Sequence, residues 1–238
     1  MNNEVIPEEH NTGFRMRSIR SFVLRTGRMS SAQSRSYEAL FPLYGKMANA
    51  NELIEAKRLF GNNNPLIIEI GFGMGTATAA IAQKNPENNY IGIEVYRPGI
   101  GRLLWEIDKL ELKNIRIIEG DAEEIIKHQI IDSSISAFHI FFPDPWPKKR
   151  HHKRRLVKRP FTDLLASKLI AGAYVYMASD WLDYGDWALG EFSDTPGLIN
   201  KYDTFAECQS WRPRTEFEIK GIKQKHEIRE LYFEKQKN

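Results

Sequence analysis

PLIIEIGFGMGTATAAIAQK, Pro65 to Lys84, is the stretch on which the fold turns. It reads as three pieces. PLIIEI is a short apolar run of strand length, and TATAAIAQK has the small and aliphatic content of a helix. Between them stand Gly71, Gly73 and Gly75, where a strand must fold sharply into a helix. Glycine permits that tight backbone and lets a ligand approach where a Cβ would block it.

Working outward, the same alternation repeats. NNYIGIEV (Asn88–Val95) is a second strand, and PGIGRLLWEIDKLEL (Pro98–Leu112) a helix with proline in its first turn. NIRIIEGDAEE (Asn114–Glu124) is a third strand leading into a helix. SISAFHIFF (Ser134–Phe142) is a fourth strand, apolar through most of its length as a buried parallel strand should be. RPFTDLLASKLI (Arg159–Ile170) is a helix and GAYVYMAS (Gly172–Ser179) a fifth strand. Strands alternating with helices predict a doubly wound, mostly parallel α/β sheet. RTEFEIKGIKQKHEIRELYFEK (Arg214–Lys235) holds two strand-like runs without a helix between them. They are expected to close the sheet as an antiparallel C-terminal pair, seven strands in all.

The first fifty residues break this pattern. They are polar, rich in arginine and weakly periodic, and read as an extended, flexible basic arm with a short helix near its end. The ordered domain is expected over residues 51–238. A chain of 238 residues with 42% hydrophobic content suits one domain with a sizeable core. Its single cysteine, Cys208, leaves no internal disulfide and no cysteine-based zinc cluster, and no metal site is read from the sequence. MNNEVIPEEH has no apolar segment, and no run approaches the roughly 18 apolar residues of a membrane span. The expectation is a soluble, cytoplasmic protein with no membrane association and no evident obligate protein partner.

The net charge of +3 conceals an uneven distribution. His10 to Tyr37 holds six arginines and no acid, and Lys148 to Arg159 holds eight Lys or Arg and no acid. The rest of the chain is therefore strongly acidic. Two concentrated basic segments on an acidic body point to nucleic acid or another anionic surface, against the plainer reading of two solvated stretches.

The glycine turn narrows the ligand. The dinucleotide fingerprint G-x-G-x-x-G would need glycine at position 76, where Thr76 stands. S-adenosylmethionine has no phosphate and carries a sulfonium and an ammonium, which suit Glu69 just before the glycines. Glu94, at the end of the second strand, is placed to accept from the ribose hydroxyls of an adenosine cofactor. Asp121, in Gly120-Asp121-Ala122, either accepts from an adenine amino group or caps the helix of AEEIIKH. Strand four delivers Pro143-Asp144-Pro145-Trp146 to the edge where α/β sheets bind ligands. Proline on both sides holds Asp144, whose carboxylate can orient a base and offset developing positive charge; the alternative is a rigid turn.

Together these residues resemble the bacterial tRNA (guanine-N7-)-methyltransferases, of the class I type that uses S-adenosylmethionine. The resemblance covers most of the chain: RSFVLRTGR, EIGFGMG, GIEV, GDA, FFPDPWPKKRHHKRR, ASDW and TEFE. It implies a Rossmann-like methyltransferase fold and transfer of methyl to N7 of a guanine in the tRNA variable loop. It also implies that Glu69, Gly71, Gly73, Gly75, Glu94, Asp121 and Asp144 hold the cofactor, with Asp144 catalytic. Lys148, Asp180 and Thr215, Glu216, Phe217 and Glu218 would meet the substrate. Arg150, His151, His152, Lys153, Arg154 and Arg155 would meet RNA. Two carboxylates, Asp180 and Glu218, could accept from guanine N1–H and N2–H, a donor pair adenine does not offer. On the residues alone, Asp180 could equally cap a helix and Glu218 be a solvated strand charge. A small-molecule methyltransferase would not need such localised basic charge, and a non-catalytic RNA-binding module would not need the acids at 69, 94, 121 and 144.

Overall fold

The strands that form the centre of the molecule are those without polar alternation. In the computed structural model, which describes residues 20–22, 27–214, 218–219 and 227–237, β2 (Leu66–Ile70) is buried at all five positions. β3 (Asn89–Glu94) is buried at all six. That is what a strand covered on both faces requires. Before them come helix α1 (Ser31–Tyr44), the short strand β1 (Gly45–Met47) and helix α2 (Ala56–Phe60). Between and after them follow α3 (Thr76–Lys84), α4 (Arg97–Lys109), β4 (Ile115–Glu119), α5 (Ala122–Gln129) and β5 (Ile135–Phe141). A 3-10 turn over Lys149–Arg154 leads to α6 (Phe161–Lys168), β6 (Leu169–Ser179), α7 (Leu182–Ser193), β7 (Leu198–Asn200) and β8 (Arg229–Lys235).

Among the described residues these strands make one eight-stranded sheet in the order β1-β4-β3-β2-β5-β6-β8-β7. The first six in that order pair in parallel, and β8 runs antiparallel to both β6 and β7. From β2 the chain steps outward through β3 and β4. It then returns to place β5 on the other side of β2, with Glu69 opposite His139. The loops after β2 and β5 therefore lie side by side at the point where the winding reverses, the place where such sheets bind ligands. One face carries a core of Ile125, Phe161, Leu165, Tyr184 and Phe192 from α5, α6 and α7. The other carries Ala79, Ile81, Ile100, Leu103 and Leu104 from α3 and α4.

Three readings of the sequence change here. The sheet has eight strands rather than seven, because Gly45–Met47 pairs with Ile117–Glu119 at its edge. The strand antiparallel to β8 on its outer side is Leu198–Asn200, not the run beginning at Arg214. Within that run Thr215, Glu216 and Phe217 lie outside the described residues, and Glu218 and Ile219 are helical.

The third change concerns the end of the expected arm over 1–50, of which residues 1–19 and 23–26 lie outside the described residues. Ser31–Met47 packs on the body instead of extending from it. Ser30 and Gln33 form a reciprocal capping box at the start of α1. Tyr37, Leu40, Phe41 and Tyr44, at the spacing of one helix face, pack against the second core. The crossing with α4 is close: a Cβ at Gly101 would lie 2.6 Å from the Gln33 carbonyl oxygen. Tyr37 donates to Glu119, which also accepts from Arg97 Nε at 2.7 Å.

Candidate active site

The turn after β2 is built from backbone. Gly71, Gly73 and Gly75 have φ of 73°, 57° and 71°, the left-handed region that a side chain disfavours. A Cβ at Gly71 or Gly73 would meet nothing within 4 Å, so both border open space. A Cβ at Gly75 would strike Leu103 Cβ of α4 at 2.6 Å. Two glycines thus leave room for a ligand, while the third lets two helices meet. An open cleft of about 150 Å³ lies over this turn, walled by Glu69, Phe72, Met74, Thr76, Phe141 and Phe142.

Acids stand at the ends of the neighbouring strands. Glu94 closes the glycine turn: its Oε2 accepts from Gly73 N at 2.8 Å, and its Oε1 from Val95 N at 2.7 Å and Tyr96 N at 3.0 Å. Burial raises its carboxyl, the three backbone donors oppose that, and the Asp144 charge adds to it. Glu69 is 3% exposed. Burial pushes it up to about 8, and the Glu94 charge adds to the shift. Asp121 is the N-cap of α5 and accepts from Glu123 N at 3.1 Å, so the capping role read from the sequence is present. Burial raises its carboxyl as well. Glu69 lines the cleft, Glu94 feels the Asp144 charge and Glu69 the Glu94 charge, so a bound cation would relieve their mutual repulsion.

The loop after β5 carries Asp144 between two unusual backbones. Phe142 and Trp146, neither of them glycine, have φ of 52° and 47°. Such conformations persist where the surroundings determine them. Phe142 N donates to Ala178 O at 2.8 Å. Trp146 Nε1 donates to Ser21 O at 2.9 Å, so the arginine-rich N-terminal segment touches this loop. The Arg154 guanidinium lies 4.9 Å from the Trp146 ring centre. Asp144 itself is exposed at the rim.

The basic stretch that follows divides by orientation. Lys148, Lys149, Arg150 and Lys153 are exposed, and Arg154 is half-buried on Trp146. His151 packs edge-on to Trp146 and His152 to Trp187, so both rings serve as packing. Arg155 departs furthest from the RNA-contact role implied for it, since its side chain is 0% exposed. It is turned inward by the apolar Leu156-Val157 that follows, of which Val157 is fully buried.

With this geometry in place, comparison with known proteins is decisive. Residues 63–231 match the family described as "Putative methyltransferase". The tRNA (guanine-N(7)-)-methyltransferase of Methylobacillus flagellatus is 48% identical over 91% of this chain and 91% of its own. Its namesake in Nitrosospira multiformis is 45% identical over 92% of this chain and 95% of its own. The chain belongs to the tRNA (guanine-N(7)-)-methyltransferase family. Among solved structures, the 16S rRNA methyltransferase KamB superposes with a TM-score of 0.58 at 14% identity, over 78% of this chain and 95% of KamB, a likeness of fold.

The methyltransferase cleft fits S-adenosylmethionine on its own features. There is open space over Gly71 and Gly73, and the Glu69, Glu94 and Asp144 carboxyls lie within range of one another's charge, a setting that suits a cationic ligand. Asp180 directly follows β6 and is half-buried. The N-cap position of α7 is Trp181, one residue after it. Trp181 and Leu182 are each 41% exposed, an apolar pair beside Asp180 that the sequence reading passed over. Glu218 is no solvated strand charge. It is 3% exposed, and its two oxygens accept from Arg212 at 2.6 and 2.9 Å. Arg212 also donates to Glu230 at 2.6 Å and to Cys208 Sγ at 3.3 Å, and sits 6.0 Å from the Phe141 and Phe142 rings. Burial pushes Glu230 up to about 7. Sequence reading had no signal for Arg212, since nothing local marks which arginine is buried.

Proposed function

We propose that this protein transfers the methyl group of S-adenosylmethionine to N7 of a guanine in the variable loop of tRNA, with Asp144 as the catalytic residue. One observation carries the reading: three neighbouring carboxylates and an exposed basic turn share the edge where the sheet reverses. The cofactor supplies an electrophilic methyl group. Glu69, Gly71, Gly73, Gly75, Glu94, Asp121 and Asp144 hold it. Guanine N7 offers a lone pair and carries no proton, so no residue needs to act as a general base at that atom. The requirement is alignment at near-attack distance. The Asp144 carboxylate offsets the positive charge that develops on the guanine imidazole ring.

Asp180 and Lys148 meet the guanine nucleotide, with Thr215, Glu216 and Phe217 alongside. Asp180 accepts from N1–H and N2–H, which selects guanine over adenine. Glu218 would have to exchange its Arg212 partner to join it. Lys148, Lys149, Arg150, Lys153 and Arg154 bind the tRNA backbone. That binding helps to offset the few kcal/mol needed to expose a stacked base. No helix among the described residues is long and apolar enough to cross a membrane. We place the reaction in the cytoplasm with tRNA as partner and no obligate protein partner.

The test uses the purified chain alone with methyl-labelled cofactor and bulk tRNA, followed by digestion to nucleosides. Label in 7-methylguanosine is expected. Label in another nucleoside, or no label until a second protein is supplied, would refute the reading.

A further inference from the structure

Arg155 ends a run of cations and yet faces inward. A buried guanidinium is costly by several kcal/mol unless its donors are engaged. Here Nε donates to the Pro145 carbonyl at 3.0 Å and Nη2 donates to the Asp183 carboxylate. The rings of Tyr184 and Trp187 flank it at 5.0 and 5.1 Å. Nη1 has no hydrogen-bond partner among the described residues, so the burial rests on those two bonds and the ring contacts.

Each partner belongs to a different part of the site. Pro145 follows Asp144 directly, inside the loop bounded by the left-handed Phe142 and Trp146. Asp183 lies in the first turn of α7, the helix that starts just after Asp180-Trp181. The chain after Arg155 is fastened to the same helix: Val157 N donates to Tyr184 Oη at 3.1 Å, and Trp187 Nε1 donates to Val157 O at 2.8 Å. The Tyr184 phenol, raised by burial, feels both the Arg155 and the Asp144 charges. Arg155 is thus the joint between the Asp144 loop, the start of α7 and the exposed basic turn.

We infer that Arg155 is a positioning residue for Asp144, acting through the Pro145 carbonyl, and not an RNA contact. Its planar fork can reach two acceptors in different directions, and a lysine ammonium at the same place cannot reproduce both bonds. Losing one should let the strained loop relax and displace Asp144. Displacements of about 1 Å at a reacting centre can cost on the order of 100-fold in rate. This inference rests on the catalytic reading of Asp144.

The test compares Arg155→Lys, Asp183→Asn, Arg150→Ala and Asp144→Asn in the full-length protein. Each is measured for melting temperature, cofactor affinity, the salt dependence of tRNA binding, and kcat and KM for tRNA. Arg155→Lys should lower kcat by about 10- to 100-fold, with the salt slope of tRNA binding unchanged. Arg150→Ala should instead weaken tRNA binding and reduce the slope by about 0.7 to 0.9. Arg155→Gln, which unlike Arg155→Lys removes the charge, should also keep the slope; a reduced slope there would make Arg155 a phosphate contact, and an unchanged kcat in a folded Arg155→Lys would make it only structural; either overturns the inference. Should Arg155→Lys fail to fold, Asp183→Asn decides. Its carboxylate is largely exposed, and the variant should lose about 3-fold or more in kcat with an unchanged slope; wild-type kcat would overturn the inference. If Asp144→Asn itself keeps wild-type kcat, the catalytic reading of the loop fails. If only the Arg155 and Asp183 variants keep it, that reading stands and the positioning role falls.

Discussion

The two loops that meet at the reversal of the sheet are held in opposite ways. The turn after β2 reaches left-handed φ three times with glycine, which pays no steric penalty there. The loop after β5 reaches it at Phe142 and Trp146, where each such backbone costs on the order of 1–3 kcal/mol. The first is closed from the neighbouring strand β3, where Ile93 O accepts from Gly71 N and the Glu94 carboxylate from Gly73 N. The second depends on Arg154 and Arg155 of the basic turn that follows it and on Ser21 of the N-terminal segment. The glycine turn is therefore held within the sheet, and the Asp144 loop also leans on a segment outside it.

Four measurements would break or sharpen that contrast. The largest effect is expected at Asp144. Asp144→Asn keeps the shape and removes the charge, so kcat should fall by about 100-fold or more with a smaller change in KM for tRNA. A near wild-type kcat would reduce Asp144 to a turn residue between two prolines. Next is Gly73→Ala, where a side chain at left-handed φ costs roughly 1–2 kcal/mol, so cofactor affinity should drop about 10-fold while tRNA affinity holds. Equal loss of both affinities would deny the separateness of that turn.

A smaller effect is expected from Trp146→Phe, which keeps an aromatic ring, though a smaller one, and deletes the bond to Ser21. One neutral hydrogen bond is worth about 0.5–1.5 kcal/mol net, so kcat should fall roughly 2- to 10-fold. An unchanged kcat would mean that the N-terminal segment does not help to hold the catalytic loop. The mildest test uses pH. Glu69 in the cofactor-free fold titrates near 8 against 4.5 when unfolded. The fold keeps a proton that the unfolded chain has lost, so this contribution is fullest below about pH 4.5 and fades as pH rises toward 8. The melting temperature should decline by on the order of a few degrees over that window. Glu69→Gln should flatten the decline, and parallel curves for both proteins would dismiss Glu69 as its source.

The parts legible in the sequence are those whose cause is local. β2, α3 and β3 could be read because a doubly covered strand is apolar at every position and glycine marks the turn between. Helix α1 was harder: its stripe of Tyr37, Leu40, Phe41 and Tyr44 is diluted by arginine and serine, so composition suggested an extended arm. β7 has only three residues, too few for a pattern. Within the site, the acids at strand ends could be placed from the alternation of elements. The inward turn of Arg155 and the pairing of Arg212 with Glu218 could not, since both depend on partners 28 and 6 residues away that only the packed chain selects.

The lone thiol has a practical consequence. Cys208 is exposed, yet its sulfur lies against the same guanidinium that binds Glu218 and Glu230. A dye attached there would need no other cysteine removed. It would sit beside Arg212, and its emission would follow any exchange of partners by Arg212 when tRNA arrives. The molecule thus comes with its own reporter position, close enough to sense that exchange.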